Sequence, residues 1–414
     1  MTPSNALLSL ECSRCGRTFD PDAVAQLCAC GGPLLARYDL GAAARTMTRD
    51  SLRARPKGLW RYRELLPLRD PDAVVSLGEP ATPILRLKRL GESLGLRRLY
   101  LKDEGLLPTG SFKARGAAVG VSRARELGVK RFAMPTNGNA GVAWSLYGAR
   151  AGMSATVVMP AAAPAHYREQ CAAAGAQVVL VNGFIGDAGR MVSRLCARYA
   201  IFDASTLKEP YRIEGKKTLG FEIAEQFDWD PPDTIVYPTG GGVGLIGMHK
   251  AFGELREMGL LSKRCPRFIA VQASGCAPIV TAWEARADES EPWKDPHTLA
   301  FGINVPKAFG DFLILRALRE SGGGAVSVQD EAAADARQML ARNEGVLACL
   351  EGAAAMAAVI SLVRSGAIAS DERVLVINTG SGFAPATVSE EYVVLEPGDE
   401  LPFAPTQKKL QTGS

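Results

Sequence analysis

The 414 residues, 47% apolar and 22% charged, have the composition of a folded chain and exclude a disordered or fibrous one; the length suits two or three folded units. The 48 basic and 44 acidic residues are interspersed, so the net charge of +4 makes no field of the kind a dedicated nucleic-acid binder uses. No apolar run reaches the roughly 18 residues of a membrane span, and no basic residue precedes Leu7 and Leu8 as a secretory signal requires. A cytoplasmic protein with neither nucleic-acid nor membrane partner is expected.

Four of the nine cysteines are packed at the start of the chain, as Cys12-Ser-Arg-Cys15 and Cys28-Ala-Cys30. This spacing lets Cys12, Cys15, Cys28 and Cys30 meet at one tetrahedral Zn2+, and glycine after each pair permits the turns that aim the sulfurs inward. So short a segment cannot bury enough core to fold alone, and a metal would supply the missing stability. The other reading is four reduced thiols on a packed β-hairpin. A site closed by four sulfurs has no open position, so such a zinc is structural and the segment a zinc-ribbon-like extension over residues 1–40. The remaining cysteines, Cys171, Cys196, Cys265, Cys276 and Cys349, stand in apolar surroundings and read as reduced core thiols.

Residues 41–75 are Arg- and Ala-rich with weak periodicity and read as a connecting segment. From about residue 95 onward, short β-branched runs alternate with helical patterns, the signature of an α/β fold with parallel sheets covered by helices. Strands are expected at 99–102, 131–134, 156–159, 177–181, 234–237, 267–272 and 374–378. Sites of such sheets gather beyond the carboxyl ends of strands, which is where the chemistry is sought. The last dozen residues read as a loose tail.

The segment Pro108-Thr-Gly-Ser-Phe-Lys113 opens an amphipathic helix. A lysine at a helix start faces the positive end of the helix dipole, which disfavours its protonated form, and an amine held neutral can condense with an aldehyde. The strand at 131–134 runs into Pro135-Thr-Asn-Gly-Asn139-Ala-Gly141, where Asn137, Asn139 and backbone N–H groups can hold an anion or a ring hydroxyl. The strand at 234–237 runs into Pro238-Thr-Gly240-Gly241-Gly242-Val243-Gly244, a cradle for a phosphate.

Taken in order, Ser111-Phe112-Lys113, Thr136-Asn137-Gly138-Asn139 and 240–244 resemble the fold-type-II pyridoxal-phosphate enzymes, the group related to the tryptophan synthase β-subunit. Within it the chain looks most like the threonine synthase family, a resemblance that covers most of its length. It extends to Leu77-Gly-Glu-Pro-Ala-Thr-Pro83, Leu101-Lys-Asp-Glu-Gly105, Arg212-Ile-Glu-Gly-Lys-Lys-Thr218 and Asn378-Thr-Gly-Ser-Gly382. It implies two open twisted-sheet domains: residues 41–100 as linker and first part of the large domain, 101–207 as the smaller domain with the lysine and the Asn loop, and 208–405 as the large domain, with 406–414 as tail. It also implies pyridoxal 5'-phosphate as cofactor. Lys113 then forms the Schiff base, Gly240, Gly241, Gly242, Val243 and Gly244 hold the phosphate, Asn139 meets the ring's 3-oxygen and Thr379 the pyridine nitrogen. A hydroxyl there, in place of a carboxylate, moderates the electron sink in favour of elimination and replacement.

By the same resemblance the substrate is O-phospho-L-homoserine, the products are L-threonine and phosphate, and the enzyme is a homodimer. The substrate carboxylate falls to backbone N–H groups of Thr136, Asn137, Gly138 and Ala140. Of Arg115, Arg168, Arg212, Lys216 and Lys217, the residues Arg212 and Lys217 best match the family motifs and are expected to meet the leaving phosphate. Ala114 stands where typical members have Asp, and the all-glycine loop with one Val is nearer to the dehydratase branch. A serine or threonine dehydratase or a diaminopropionate-type ammonia-lyase is therefore the alternative within the same chemistry. Gly242-Val-Gly-Leu-Ile-Gly247 also fits a dinucleotide fingerprint, but the next strand lacks the acid that would grip a ribose. The three histidines, His166, His249 and His297, occupy no hydrolytic or metalloprotease motif. In a reading of another class, a zinc-ribbon binding module carries a degenerate enzyme core and Lys113 is unmodified.

Overall fold

A computed structural model describes residues 5–261, 265–383 and 393–400. Its α/β architecture rests on three sheets. The amino-terminal sheet is antiparallel, with Leu7–Cys12 between Thr18–Phe19 and Leu34–Tyr38. The larger of the other two runs in the order Gly324–Val328, Arg267–Ala273, Thr234–Pro238, Arg373–Asn378, Arg98–Asp103 and Ile84–Arg86, parallel except at the last pair. The third, wholly parallel, runs Val393–Leu395, Gln177–Val181, Ser154–Pro160, Arg131–Pro135 and Phe202–Asp203.

All seven strands expected from the sequence are present, lengthened by one to three residues where they differ. Helices cover both faces, so central strands such as Thr234–Pro238 are buried at every position and read as unbroken apolar runs. In both parallel sheets the strand order reverses beside the strand that carries a conspicuous loop. Thr234–Pro238 lies between Arg267–Ala273 and Arg373–Asn378, and Arg131–Pro135 lies between Ser154–Pro160 and Phe202–Asp203. Such switch points open a crevice at the carboxyl ends, and there stand the glycine loop, Thr379 and the Asn loop.

Two expectations about organisation meet different facts. The boundary between 100 and 101 falls inside Arg98–Asp103, a strand of the six-stranded sheet, while Val393–Leu395 pairs with the smaller sheet. Residues 41–75 are a run of short helices, not a loose connection: Leu52, Leu59, Tyr62 and Leu65 are buried, and Arg55–Glu64 and Arg61–Glu225 are ion-paired at 2.6 and 3.0 Å. The tail at 406–414 lies outside the described residues. Among the described residues, no helix is long and apolar enough to cross a membrane.

The cysteine-bearing sheet packs on both larger sheets' surroundings. Asp22 pairs with Arg123 at 2.6 Å, Gln26 donates to the Asp203 carbonyl, and Arg14 pairs with Glu289 at 2.7 Å while lying 4.0 Å from the centre of the Phe312 ring.

Candidate active site

Lys113 is the first residue of the helix Lys113–Glu126, whose amino end has no side-chain cap. The turn before it is stitched to the end of Arg373–Asn378: Ser111 bridges to Gly380, and the Phe112 N–H donates to the Thr379 carbonyl at 2.9 Å. The lysine and Thr379 are thus fixed relative to each other through backbone. Lys113 Nζ sits 4.6 Å from the centre of the Phe112 ring. Burial, then the charge of Arg212, brings its pKa down to about 8 against the opposing pull of Glu351. Withdrawal from water is thus the largest cause of the depressed amine pKa.

A cavity of about 940 Å3 opens between the two parallel sheets, and Lys113, Thr136, Asn137, Asn139, Ala140, Arg212, Lys216, Thr379 and the loop Gly240 to Val243 line it. The loop begins the helix Val243–Glu257, whose N-cap, Gly242, offers no side-chain acceptor to the first turn's N–H groups. Those donors have no partner within the helix and face an anion favourably. Side chains would fill the loop: a Cβ at Gly242, where φ is +69°, would lie 2.2 Å from Ile314 Cδ1, and one at Gly244 would lie 2.0 Å from the Tyr237 hydroxyl. The cradle therefore demands glycine, and its uncapped helix start offers the donors a phosphate needs.

On the opposite wall, the Thr136 hydroxyl accepts from the N–H groups of Gly138 and Gly141 at 3.0 and 2.9 Å, while the Thr136 N–H donates to Val158. Two of the N–H groups expected to meet a substrate carboxylate, those of Thr136 and Gly138, are thus engaged with protein acceptors. Of the first turn of the helix Asn139–Arg150, Asn139 and Ala140 line the cavity, and their N–H groups have no partner within the helix. Asn137 Nδ2 donates to the Asn304 carbonyl at 3.0 Å, and Asn139 Nδ2 to the Tyr167 hydroxyl at 3.3 Å. The Tyr167 ring covers Gly138, where φ is +145° and a Cβ would lie 2.3 Å from the ring. The Thr379 hydroxyl has Cys349 Sγ 3.6 Å away.

The candidate cations separate sharply. Arg212 is held by Glu209 at 2.9 Å, the Thr206 hydroxyl at 3.2 Å and the Ala204 carbonyl, with its guanidinium 4.8 Å from the centre of a Trp144 ring. Lys216 reaches the cavity and donates to the Phe112 carbonyl. Lys217 does not reach it: one residue on along the helix it points the other way, buried between Glu214 at 2.5 Å and Glu254 at 2.9 Å. Arg115 is likewise buried behind the site against Glu104 and Glu222, and Arg168 does not line the cavity. Sequence reasoning missed Ser193, Thr206, Lys208 and Glu351, which line the cavity from separate loops and helices, and Tyr167, which backs the Asn loop; no local pattern marks any of them.

Away from the cavity, Cys12, Cys15, Cys28 and Cys30 bring their sulfurs within 4.8 Å of one another, with contacts of 3.5 to 3.6 Å. A tetrahedron with Zn–S of about 2.3 Å has edges of about 3.8 Å, so the set fits zinc. At Cys12 burial opposes ionisation, but the N–H groups of Cys15 and Arg14 outweigh it and bring the thiol down to about 6. At Cys30 the Gly32 N–H pulls downward, yet the three neighbouring thiols push it up to about 12. Holding all four as thiolates at this spacing would take a cation between them.

A family model described as "Pyridoxal-phosphate dependent enzyme" matches residues 75–380. The chain is 37% identical over 391 residues to threonine synthase of Methanocaldococcus jannaschii, covering 93% of this chain and 96% of that protein. It is 38% identical over 374 residues to threonine synthase of Methanosarcina acetivorans, covering 90% and 91%. Among solved structures, the processed form of threonine deaminase isoform 2 from Solanum lycopersicum has a TM-score of 0.64 at 23% identity, covering 80% of this chain and 92% of that one. Maize serine racemase has a TM-score of 0.64 at 22% identity, covering 73% and 89%. Those two likenesses are of fold.

Proposed function

This chain belongs to the threonine synthase family of pyridoxal-phosphate-dependent enzymes, and from that premise we propose that it converts O-phospho-L-homoserine and water into L-threonine and inorganic phosphate. The observation that carries the proposal is the meeting of Lys113, the 240–244 loop, Asn139, Thr379 and Arg212 around one cavity. Lys113 would hold the cofactor covalently, the glycine loop its phosphate, Asn139 its 3-oxygen and Thr379 its pyridine nitrogen. When bound, pyridoxal phosphate supplies an electron sink that acidifies the C–H beside the substrate amine.

The residues supply the rest. Lys113 Nζ, with its pKa at about 8, is suited to accept a proton from the substrate's α-carbon and return it later in the cycle. The N–H groups of Asn139 and Ala140, at the start of the helix Asn139–Arg150, would hold the substrate carboxylate. Arg212, its plane fixed by Glu209, Thr206 and Trp144, would meet the leaving phosphate. The phosphate leaves the γ-carbon and water adds at the β-carbon. The all-glycine loop supports a second reading, a dehydratase forming a 2-oxo acid. Incubation with L-threonine tests it: 2-oxobutyrate formed at a rate exceeding phosphate release from phosphohomoserine would replace the first reading. We also propose that the cysteine set holds a structural Zn2+, and that the enzyme is a cytoplasmic homodimer, as the family resemblance implies.

A further inference from the structure

We propose that Lys208 is a substrate-binding residue that selects for a phosphorylated side chain; this rests on the reading of the site just given. Other cavity cations are likewise held by protein partners, Lys216 by the Phe112 carbonyl, Arg190 by Asp187, and Lys307 by Asp311 and the Ser290 carbonyl, so what singles out Lys208 is its place on the turn beside the glycine loop. Lys208 lines the cavity together with Arg212, on the turn 203–208 that also carries Thr206. Thr206 Cγ2 lies 3.5 Å from where a Cβ on Gly241 would be, so this turn abuts the phosphate cradle.

The turn is built to present these side chains. Leu207 between them adopts φ of +62°, a left-handed conformation that a branched residue takes only when its surroundings enforce it. The enforcement is visible: Leu207 Cδ1 occupies the space beside Gly310, where a Cβ would lie 2.3 Å away. Asp203, itself buried, accepts from both the N–H and the hydroxyl of Ser205 and so cannot follow its partner. Lys208 Nζ pairs with Asp203 at 3.1 Å and donates to the Ser193 hydroxyl. An ammonium has three donors; two are fixed on these anchors, which leaves the third for the cavity. Asp203 and Ser193 orient the lysine, and Asp203 balances its charge before substrate arrives. Together with Arg212 it offers charge-assisted bonds to a phosphate dianion from two sides. A substrate without the phosphate leaves these donors unpaired in a half-buried site, which is how the pair discriminates.

The test uses the holoenzymes of the wild type, K208M and K208R, with S193A as a gentler change that removes one anchor and leaves the charge. Initial rates with O-phospho-L-homoserine, inhibition by inorganic phosphate, and the cofactor's absorption spectrum are measured. Loss of a charge-assisted bond predicts that K208M raises KM for the substrate and Ki for inorganic phosphate by about tenfold to a hundredfold. The cofactor spectrum stays close to wild type, K208R recovers most of the loss, and S193A shows a smaller rise. Unchanged KM and Ki in K208M overturn the assignment. If the wild type releases no phosphate from O-phospho-L-homoserine, the activity reading fails, and Lys208 is judged by inorganic phosphate alone through the holoenzyme's cofactor fluorescence. Weaker phosphate binding in K208M then upholds the anion site, and equal or absent binding in both refutes it.

Discussion

Arg115 and Glu222 pair at 2.7 Å, both out of contact with solvent, and so fasten the helix that begins with Lys113 to the helix Arg212–Gln226 that begins with Arg212. Glu104 binds the same guanidinium at 2.6 Å and Lys102 binds Glu222 at 2.6 Å, making an alternating chain of charges beneath the cavity floor. Removing one member leaves a buried charge uncompensated. Arg115→Met is therefore expected to cost about 3–5 kcal/mol of unfolding free energy, measured by urea denaturation, although Arg115 never meets substrate.

Acid should find the same network. Burial works against the Glu222 carboxylate, but Arg115 and Lys102 outweigh it and hold its pKa at about 2, below the usual 4.5. A carboxyl depressed on folding stabilises the protein fully above its unfolded pKa, and that contribution is lost as pH falls through the folded value. Stability is expected to decline between pH 4.5 and about 2. A Glu222→Gln variant, less stable at neutral pH, should show a shallower decline over that window in denaturant titrations.

The seven strands were legible because strands buried on both faces must be apolar and because Pro, Asn or Ala ends several of them. Ile84–Arg86 and Gly324–Val328 were not, since edge strands need no such run, and the latter opens on glycine. Residues 41–75 hid their structure because their buried set includes charged residues, Glu64 paired with Arg55 in the same segment and Arg61 paired with the distant Glu225. At the site, the lysine turn, the Asn loop and the glycine loop are each contiguous and could be read locally. Choosing between Lys216 and Lys217 could not be done that way: adjacent helical residues diverge by about 100°, and only the packing of the helix decides which enters the cavity. Lys208 and Tyr167 act across chain segments and left no local signal.

Cofactor capture should follow the ionisation of Lys113. With its pKa at about 8, the fraction of neutral amine rises through that value and is complete above it. Apo-protein mixed with pyridoxal phosphate is expected to develop its visible band faster as pH rises, levelling off above about 8. A rate still climbing toward the range of an exposed lysine would contradict the burial argument. Lys113→Ala should abolish the band and borohydride labelling.

Tyr167 should hold the Asn loop in register, since its hydroxyl accepts from Asn139 and its ring lies on Gly138. Tyr167→Phe keeps the ring and removes one neutral hydrogen bond, so cofactor affinity should fall by about threefold to tenfold, read by fluorescence titration. Gly138→Ala, which meets the ring itself at a left-handed position, should be far more damaging.

The cysteine set should bind one zinc per chain, released by chelation or by Cys15→Ser. Loss of the metal frees the loop that carries Arg14 from its contacts with Glu289 and Phe312. The melting temperature should drop by several degrees while the folded fraction keeps its kcat. An unchanged melting temperature in zinc-free protein would show that the thiols need no metal.

The most direct measurement is a product balance with purified holoenzyme and O-phospho-L-homoserine, quantifying inorganic phosphate and L-threonine over time. Equal amounts of the two, formed by the wild type and absent with Lys113→Ala, are predicted; phosphate without threonine, or neither product, would contradict the assigned reaction.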